Sequence, residues 1–218
     1  VRHCLGESAG HVAAEHRSVR LRVGGTLGGC DQLAGRDAQC RILDQGPGCW
    51  FVSMGEILRS LDTQVEPGRQ IQQHLHSGEL VPAHLVISVW MQYMAEQAGS
   101  GFRPSDHILV LDGLPRDIEQ AKLLQSHVQI ECVVHLVCDD ESILFERIRH
   151  RDLERQDDAK DDIIRHRFDV YREQTAPLLD RYPSDLIVTV DAARAPIEVL
   201  EQIVSALTSH QLNSPVAS

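Results

Sequence analysis

The rhythm of apolar and polar positions changes near residue 50. Beyond it, short runs of aliphatic and β-branched residues alternate with longer stretches whose apolar residues recur at helical spacing. "HILVLD" (107–112), "ECVVHLVC" (131–138) and "DLIVTVD" (185–191) are nearly continuous apolar runs, as expected of parallel strands covered on both faces. Each is followed by a helical stretch: "RDIEQAKLLQSH", then "DDESILFERIRHRDLER" with Asp139 or Asp140 as its cap, then "APIEVLEQIVSALTSH". The last has Pro196 in its first turn and apolar residues at 197, 199, 200, 203, 204 and 207. This alternation predicts an α/β fold with a doubly wound parallel sheet. Residues 209–218 read as a frayed tail.

Residues 1–49 follow neither rhythm. They hold nine of the fifteen glycines and four of the six cysteines, but no Phe, Trp or Tyr. The best strand candidate there, "VRLRV" (19–23), alternates arginine with aliphatics, which argues against a central strand buried on both faces. No credible first strand emerges.

Length and composition narrow the class. At 218 residues the chain is long enough for one domain with a substantial core. A net charge of −11 argues against a nucleic-acid or anionic-membrane surface. Lys122 and Lys160 are the only lysines, so lysine chemistry has almost no candidates. The six cysteines form no C-x-x-C pair, and reduced thiols in a cytoplasmic protein are the expectation. No run approaches membrane-spanning length, and no signal-peptide core stands at the start.

The richest chemistry lies in "ILVLDGLPRDIEQ" (108–120). Asp112 ends a strand where open α/β sheets bind ligands, and it can hold the water shell of a Mg²⁺ ion. Arg116 offers a planar fork for phosphate, and Gln120, one turn on, suits a base edge. The same turn could instead be a salt-bridged structural feature. In "FERIRHRDLERQDD" (145–158), Arg147, Arg151 and Arg155 fall at four-residue spacing. Like charges so spaced cost about 0.2–0.5 kcal/mol per pair unless an anion joins them. A solvated helix neutralised by Glu146, Asp152 and Glu154 is the competing reading. "FVSMGEILR" (51–59) and "HSGELVPAHLVISVW" (76–90) add a strand-to-helix turn and a helix–turn–helix.

In order and spacing, "SMGEILR", "GELVP", "DGLPRDIEQ", "RIRHR", "RQDD", "RFDVY" and "TAPLL" resemble the motifs of adenylate kinase and related nucleoside-monophosphate kinases. The resemblance covers residues 51 to about 207. It implies a phosphate-loop NTPase-like three-layer α/β core with about five parallel strands. A single domain over 1–208 is expected, with a monophosphate-binding part near 53–82 and a short lid near 148–156. The implied reaction is transfer of the ATP γ-phosphate to AMP, giving two ADP, with Mg²⁺, in a cytoplasmic monomer. By that resemblance Arg59, Gly113, Arg116 and Gln120 belong to the AMP site, with Glu79, Leu80 and Val81 contacting the adenine through their backbone. Arg155 and Arg167 match phosphate-binding arginines, and with Arg116 and Arg151 they are the expected catalytic set. Arg147 and Arg151 match lid-hinge arginines facing ATP, and Arg194 stands where the family's backbone touches the ATP base. Asp112 is the expected Mg²⁺ residue, through water. Gln120 favours AMP as acceptor. Met54 replaces the family's Thr, and Leu114 its Phe or Tyr. The lid has no cysteine cluster for zinc.

One motif departs further. The family carries G-x-P-G-[AS]-G-K-G-T after its first strand. Counting back without gaps from Ser53 puts Gly35 and Arg36 on the Gly-Lys pair, with Asp37 and Ala38 in place of Gly and Thr. A second register puts Gly24–Gly29 on G-x-x-x-x-G, leaving Cys30 for Lys and Asp31 for Thr. Neither supplies the lysine and hydroxyl that such a loop aims at phosphate and metal. Three readings remain open: a degenerate loop, a segment read in the wrong frame ahead of an intact kinase body, or a divergent loop that still holds ATP.

Overall fold

The computed structural model describes residues 20–24, 49–104, 107–151 and 161–213. Five parallel strands form one sheet: β1 (Arg20–Gly24), β2 (Cys49–Ser53), β3 (Ile108–Asp112), β4 (Gln129–Val137) and β5 (Ile187–Asp191), in the order β2-β3-β1-β4-β5. The long apolar runs of the sequence become β3, β4 and β5. Helices connect them: α1 (Met54–Ser60), α2 (Gly68–Ser77), α3 (Ala83–Gly99), α4 (Ile118–Leu124), α5 (Glu141–Arg151), α6 (Asp161–Val170) and α7 (Pro196–Asn213). A π-helical turn, Tyr171–Thr175, and a 3₁₀ turn, Ala176–Arg181, follow α6.

Two sequence expectations are corrected. β1 is a central strand, paired with β3 on one side and β4 on the other. Its alternating arginines argued against this. Ladder pairing uses backbone groups alone, so topology outweighs the side-chain pattern. The mismatch coincides with an irregular ladder: Leu21 pairs with Ile130 but Arg22 with Cys132, skipping Glu131. At the other end, α7 runs to Asn213, past the expected start of a frayed tail at 209.

The apolar core divides along the sheet. One cluster joins β2 and β3 to α1–α4 through Val52, Leu58, Ile71, Trp90, Leu109, Leu111 and Leu124. The other joins β4 and β5 to α5–α7 through Val134, Leu136, Ile148, Phe168, Val190 and Val199. Each cluster anchors a different set of loops at the carboxyl edge. The chain passes from β1 to β2 on one side of the sheet and from the neighbouring β4 to β5 on the other, so the carboxyl ends of β1 and β4, with β3 beside β1, border the crevice where such sheets take ligands.

Candidate functional site

The carboxyl edge begins with Ser53, Asp112 and Gly24, which lie in register across β2, β3 and β1. Asp112 is almost wholly buried, and the Ser53 hydroxyl donates to its Oδ2 at 3.5 Å. The next residue, Gly113, has a φ of +75°, the left-handed region that glycine enters without strain. A Cβ on Gly113 would also meet Arg116 Nη2 at 3.1 Å. That turn folds Arg116 back so that its Nε donates to Gly113 O at 3.2 Å.

Gln120 holds the turn from the other side. Asp117 caps α4 by accepting from the Gln120 N–H at 2.7 Å, as its position ahead of the helix suggests. Burial pushes the Asp117 carboxyl up from its ordinary range, against the lowering effect of backbone N–H groups of Gln120 and Glu119. The Gln120 side chain is itself 2% exposed. Its Oε1 accepts from the Arg116 N–H at 2.8 Å, and its Nε2 donates to Val81 O at 3.5 Å. The Arg116 N–H can only donate, so the amide oxygen belongs on that side and the NH₂ group faces Val81.

The Glu79–Val81 segment is fixed by the end of α2. Gly78, at φ +78°, caps that helix, and the Gly78 and Glu79 N–H groups donate to Leu75 O and His74 O at 3.3 and 3.1 Å. The segment rests on α6: Arg167 Nη2 donates to Leu75 O at 3.3 Å, and His166 Nε2 meets Glu79 Oε1 at 2.8 Å. Leu80 is half-buried and Val81 buried. On α1, the Arg59 guanidinium lies over Gly55, where a Cβ would stand 3.0 Å from Nη2. Glycine thus makes room for three of the expected arginines: Gly55 for Arg59, Gly113 for Arg116 and Gly78 for Arg167. Met54 and Leu114, the family departures, are both buried in the core.

Across the sheet, Arg147 is engaged by the turn after β5. Its guanidinium donates to Ala192 O at 2.6 Å, Ala193 O at 3.1 Å and Arg194 O at 3.4 Å. Arg194 Nε donates to Asp191 Oδ2 at 3.3 Å. Arg147 and Arg194 therefore come together, with Arg147 gripping the turn that carries Arg194. Arg151 closes α5. Gly35, Arg36 and Arg155 lie outside the described residues, as does the lid beyond Arg151. Among the described residues no cluster of His, Cys, Asp and Glu could hold a metal ion, and no helix is long and apolar enough to cross a membrane.

Sequence reasoning missed the Ser53–Asp112 contact, the Arg147 grip and the His166–Glu79 pair. The last two join residues 45 to 47 and 87 positions apart and have no local signal. The glycines were legible as motif letters, but their role as seats for arginines was not.

An acidic strand end, a positive-φ glycine and several arginines on the carboxyl edge of a parallel sheet define a class: nucleotide-handling α/β phosphotransferases. Known proteins narrow it. The adenylate kinase family model matches residues 28–187. The adenylate kinase of Mycolicibacterium vanbaalenii is 35% identical over 181 residues, 80% of this chain and 93% of that protein. That of Thermobifida fusca is 32% identical over 184 residues, covering 81% and 94%, and that of Prochlorococcus marinus 35% over 157 residues, covering 69% and 78%. The chain belongs to the adenylate kinase family.

The family match begins at residue 28, after β1 has ended at Gly24. That span accommodates the Gly35-Arg36 register. The end of β1 beside Asp112 instead gives the Gly24–Gly29 register the strand it requires. The two observations favour different registers for the phosphate loop.

Proposed function

We propose that the chain is an AMP-accepting nucleoside-monophosphate kinase, an ATP:AMP phosphotransferase whose acceptor half is complete. The observation that carries this reading is the Gln120–Val81 pair. With Gln120 Oε1 held by the Arg116 N–H, the face presented to a base is an NH₂ donor beside a carbonyl acceptor. Adenine offers the complement, an N1 acceptor next to an N6 donor. Guanine offers a donor and an acceptor in reversed places. A site built to bond one edge penalises the other by leaving its own polar groups unpaired.

Arg59 and Arg116 are then the arginines for the acceptor phosphate, while Arg167, with Arg155 and Arg151, binds and steadies the transferring phosphoryl group. This distribution suits phosphoryl transfer, which depends on positioning and charge neutralisation more than on a covalent nucleophile. The 53–82 segment forms the acceptor arm and about 148–156 the lid. On the donor side, Arg147 fixes the turn that would receive the ATP base at Arg194. The Asp112 carboxylate and Ser53 hydroxyl are hard oxygen donors at the sheet edge and fit a water-shelled Mg²⁺. When bound, that ion neutralises charge on the polyphosphate.

A second reading is favoured by one feature of the sequence: a Gly-Lys-Ser/Thr loop is missing in either register. Arg36 keeps a positive charge but not the compact ammonium, and Asp37 or Asp31 sets a negative charge near a triphosphate. Loss of one preorganised donor costs about 2.7–4 kcal/mol in the transition state. The chain would then bind AMP with little turnover. Titration with AMP, GMP, CMP and UMP, followed by a coupled ADP-formation assay, separates these readings. AMP preference with turnover supports the kinase. AMP preference without turnover supports the binding module, and no preference for AMP removes both.

A further inference from the structure

We infer that His166 is a positioning residue for the acceptor base, acting through Glu79. This rests on the AMP reading above and adds a determinant outside the phosphate and base contacts. Val81 O is useful to a base only if residues 79–81 are held still. The backbone of Glu79 is fixed at one end by the α2 cap. Its side chain is fixed at the other by His166 Nε2, 2.8 Å from Oε1. Between them, Gly78 leaves no space: a Cβ there would meet Arg167 Cγ at 3.2 Å, Ile163 Cγ2 at 3.3 Å and His166 Cδ2 at 3.5 Å.

Two consecutive residues of α6 thus hold the last turn of α2 and the start of the segment that leads to Val81. Arg167 takes the Leu75 carbonyl at the end of α2, and His166 takes the first side chain beyond it. Arg167 is also the residue assigned to the transferring phosphoryl group. The His166–Glu79 pair therefore links the base-reading segment to the helix that carries the phosphoryl clamp. A base seated on Val81 O and a phosphate drawn to Arg167 would be registered against one rigid element. His166 touches neither, so its effect should fall on acceptor affinity.

The test is calorimetric titration of AMP into wild type, His166→Ala, His166→Gln, Glu79→Ala and the His166→Ala/Glu79→Ala double variant, with Glu201→Ala, exposed on α7, as a surface control. Circular dichroism melts confirm that each variant is folded. Both partners are partly exposed, so the expected loss for His166→Ala is modest, about two- to five-fold in Kd for AMP. His166→Gln, which keeps an N–H donor, should recover most of that loss. The double variant should be no worse than either single one, and Glu201→Ala should match wild type. The inference is overturned if His166→Ala binds AMP as wild type does, if Gln fails to rescue, or if the two losses add. A wild-type chain that does not bind AMP overturns the acceptor reading and this inference with it. Wild-type binding without a His166 effect overturns this inference alone.

Discussion

The two halves of the carboxyl edge are built differently. On the β2–β3 side, Gln120, Arg116, Asp117, Val81 and Gly113 bond one another, and three glycines clear space for arginines. On the β1–β4–β5 side, Arg147 spends three hydrogen bonds on a turn, and the sequence offers no Gly-Lys-Ser/Thr to cradle a triphosphate in either register. Each half has its own core cluster, and α6 of the second reaches the first through Arg167 and His166. On the proposed reading, the acceptor half is complete while the sequence of the donor half departs from the family's phosphate-loop motif.

The largest effect should come from repairing the donor side. Installing Arg36→Lys, Asp37→Gly and Ala38→Thr should raise ADP formation by about 100-fold or more, the scale of restoring preorganised donors. The alternative graft, Cys30→Lys with Asp31→Thr, should leave turnover where it was. The opposite result would move the loop to Gly24–Gly29, directly after β1. Next, breaking the acceptor side with Arg116→Ala should weaken AMP about 10- to 100-fold by calorimetry while leaving ATP affinity nearly unchanged. A comparable loss for ATP would mean that the halves are not separable. Smaller again, Gln120→Ala should reduce the preference for AMP over GMP about 10-fold in competition binding, because the base edge loses its donor. Unchanged preference would place base reading elsewhere.

The gap between sequence and structure follows the same division. β3, β4 and β5 were legible because strands covered on both faces leave continuous apolar runs. β1 was not, because "RLRV" alternates and its central place is set by backbone pairing with β3 and β4. The turn from Asp112 to Gln120 announces its chemistry within nine consecutive positions. The His166–Glu79 and Arg147 contacts join distant segments, and nothing local marks them.

The smallest predicted effect lies away from the edge. Burial lowers the pKa of His135 on β4 below its ordinary 6.5. The folded protein thus resists protonating it, and that contribution to stability is present above about pH 6.5 and lost as pH falls through the lowered value. His135→Gln should therefore narrow the drop in Tm between about pH 7.5 and pH 5.5. An identical drop would show that His135 does not sense the fold.

The most direct test of the division is one pair of titrations on the unaltered chain, AMP and then ATP with Mg²⁺. An intact acceptor half beside an altered donor half predicts saturable AMP binding that is tighter than ATP binding and is selective over GMP. Tight ATP binding with weak or unselective AMP binding would contradict it.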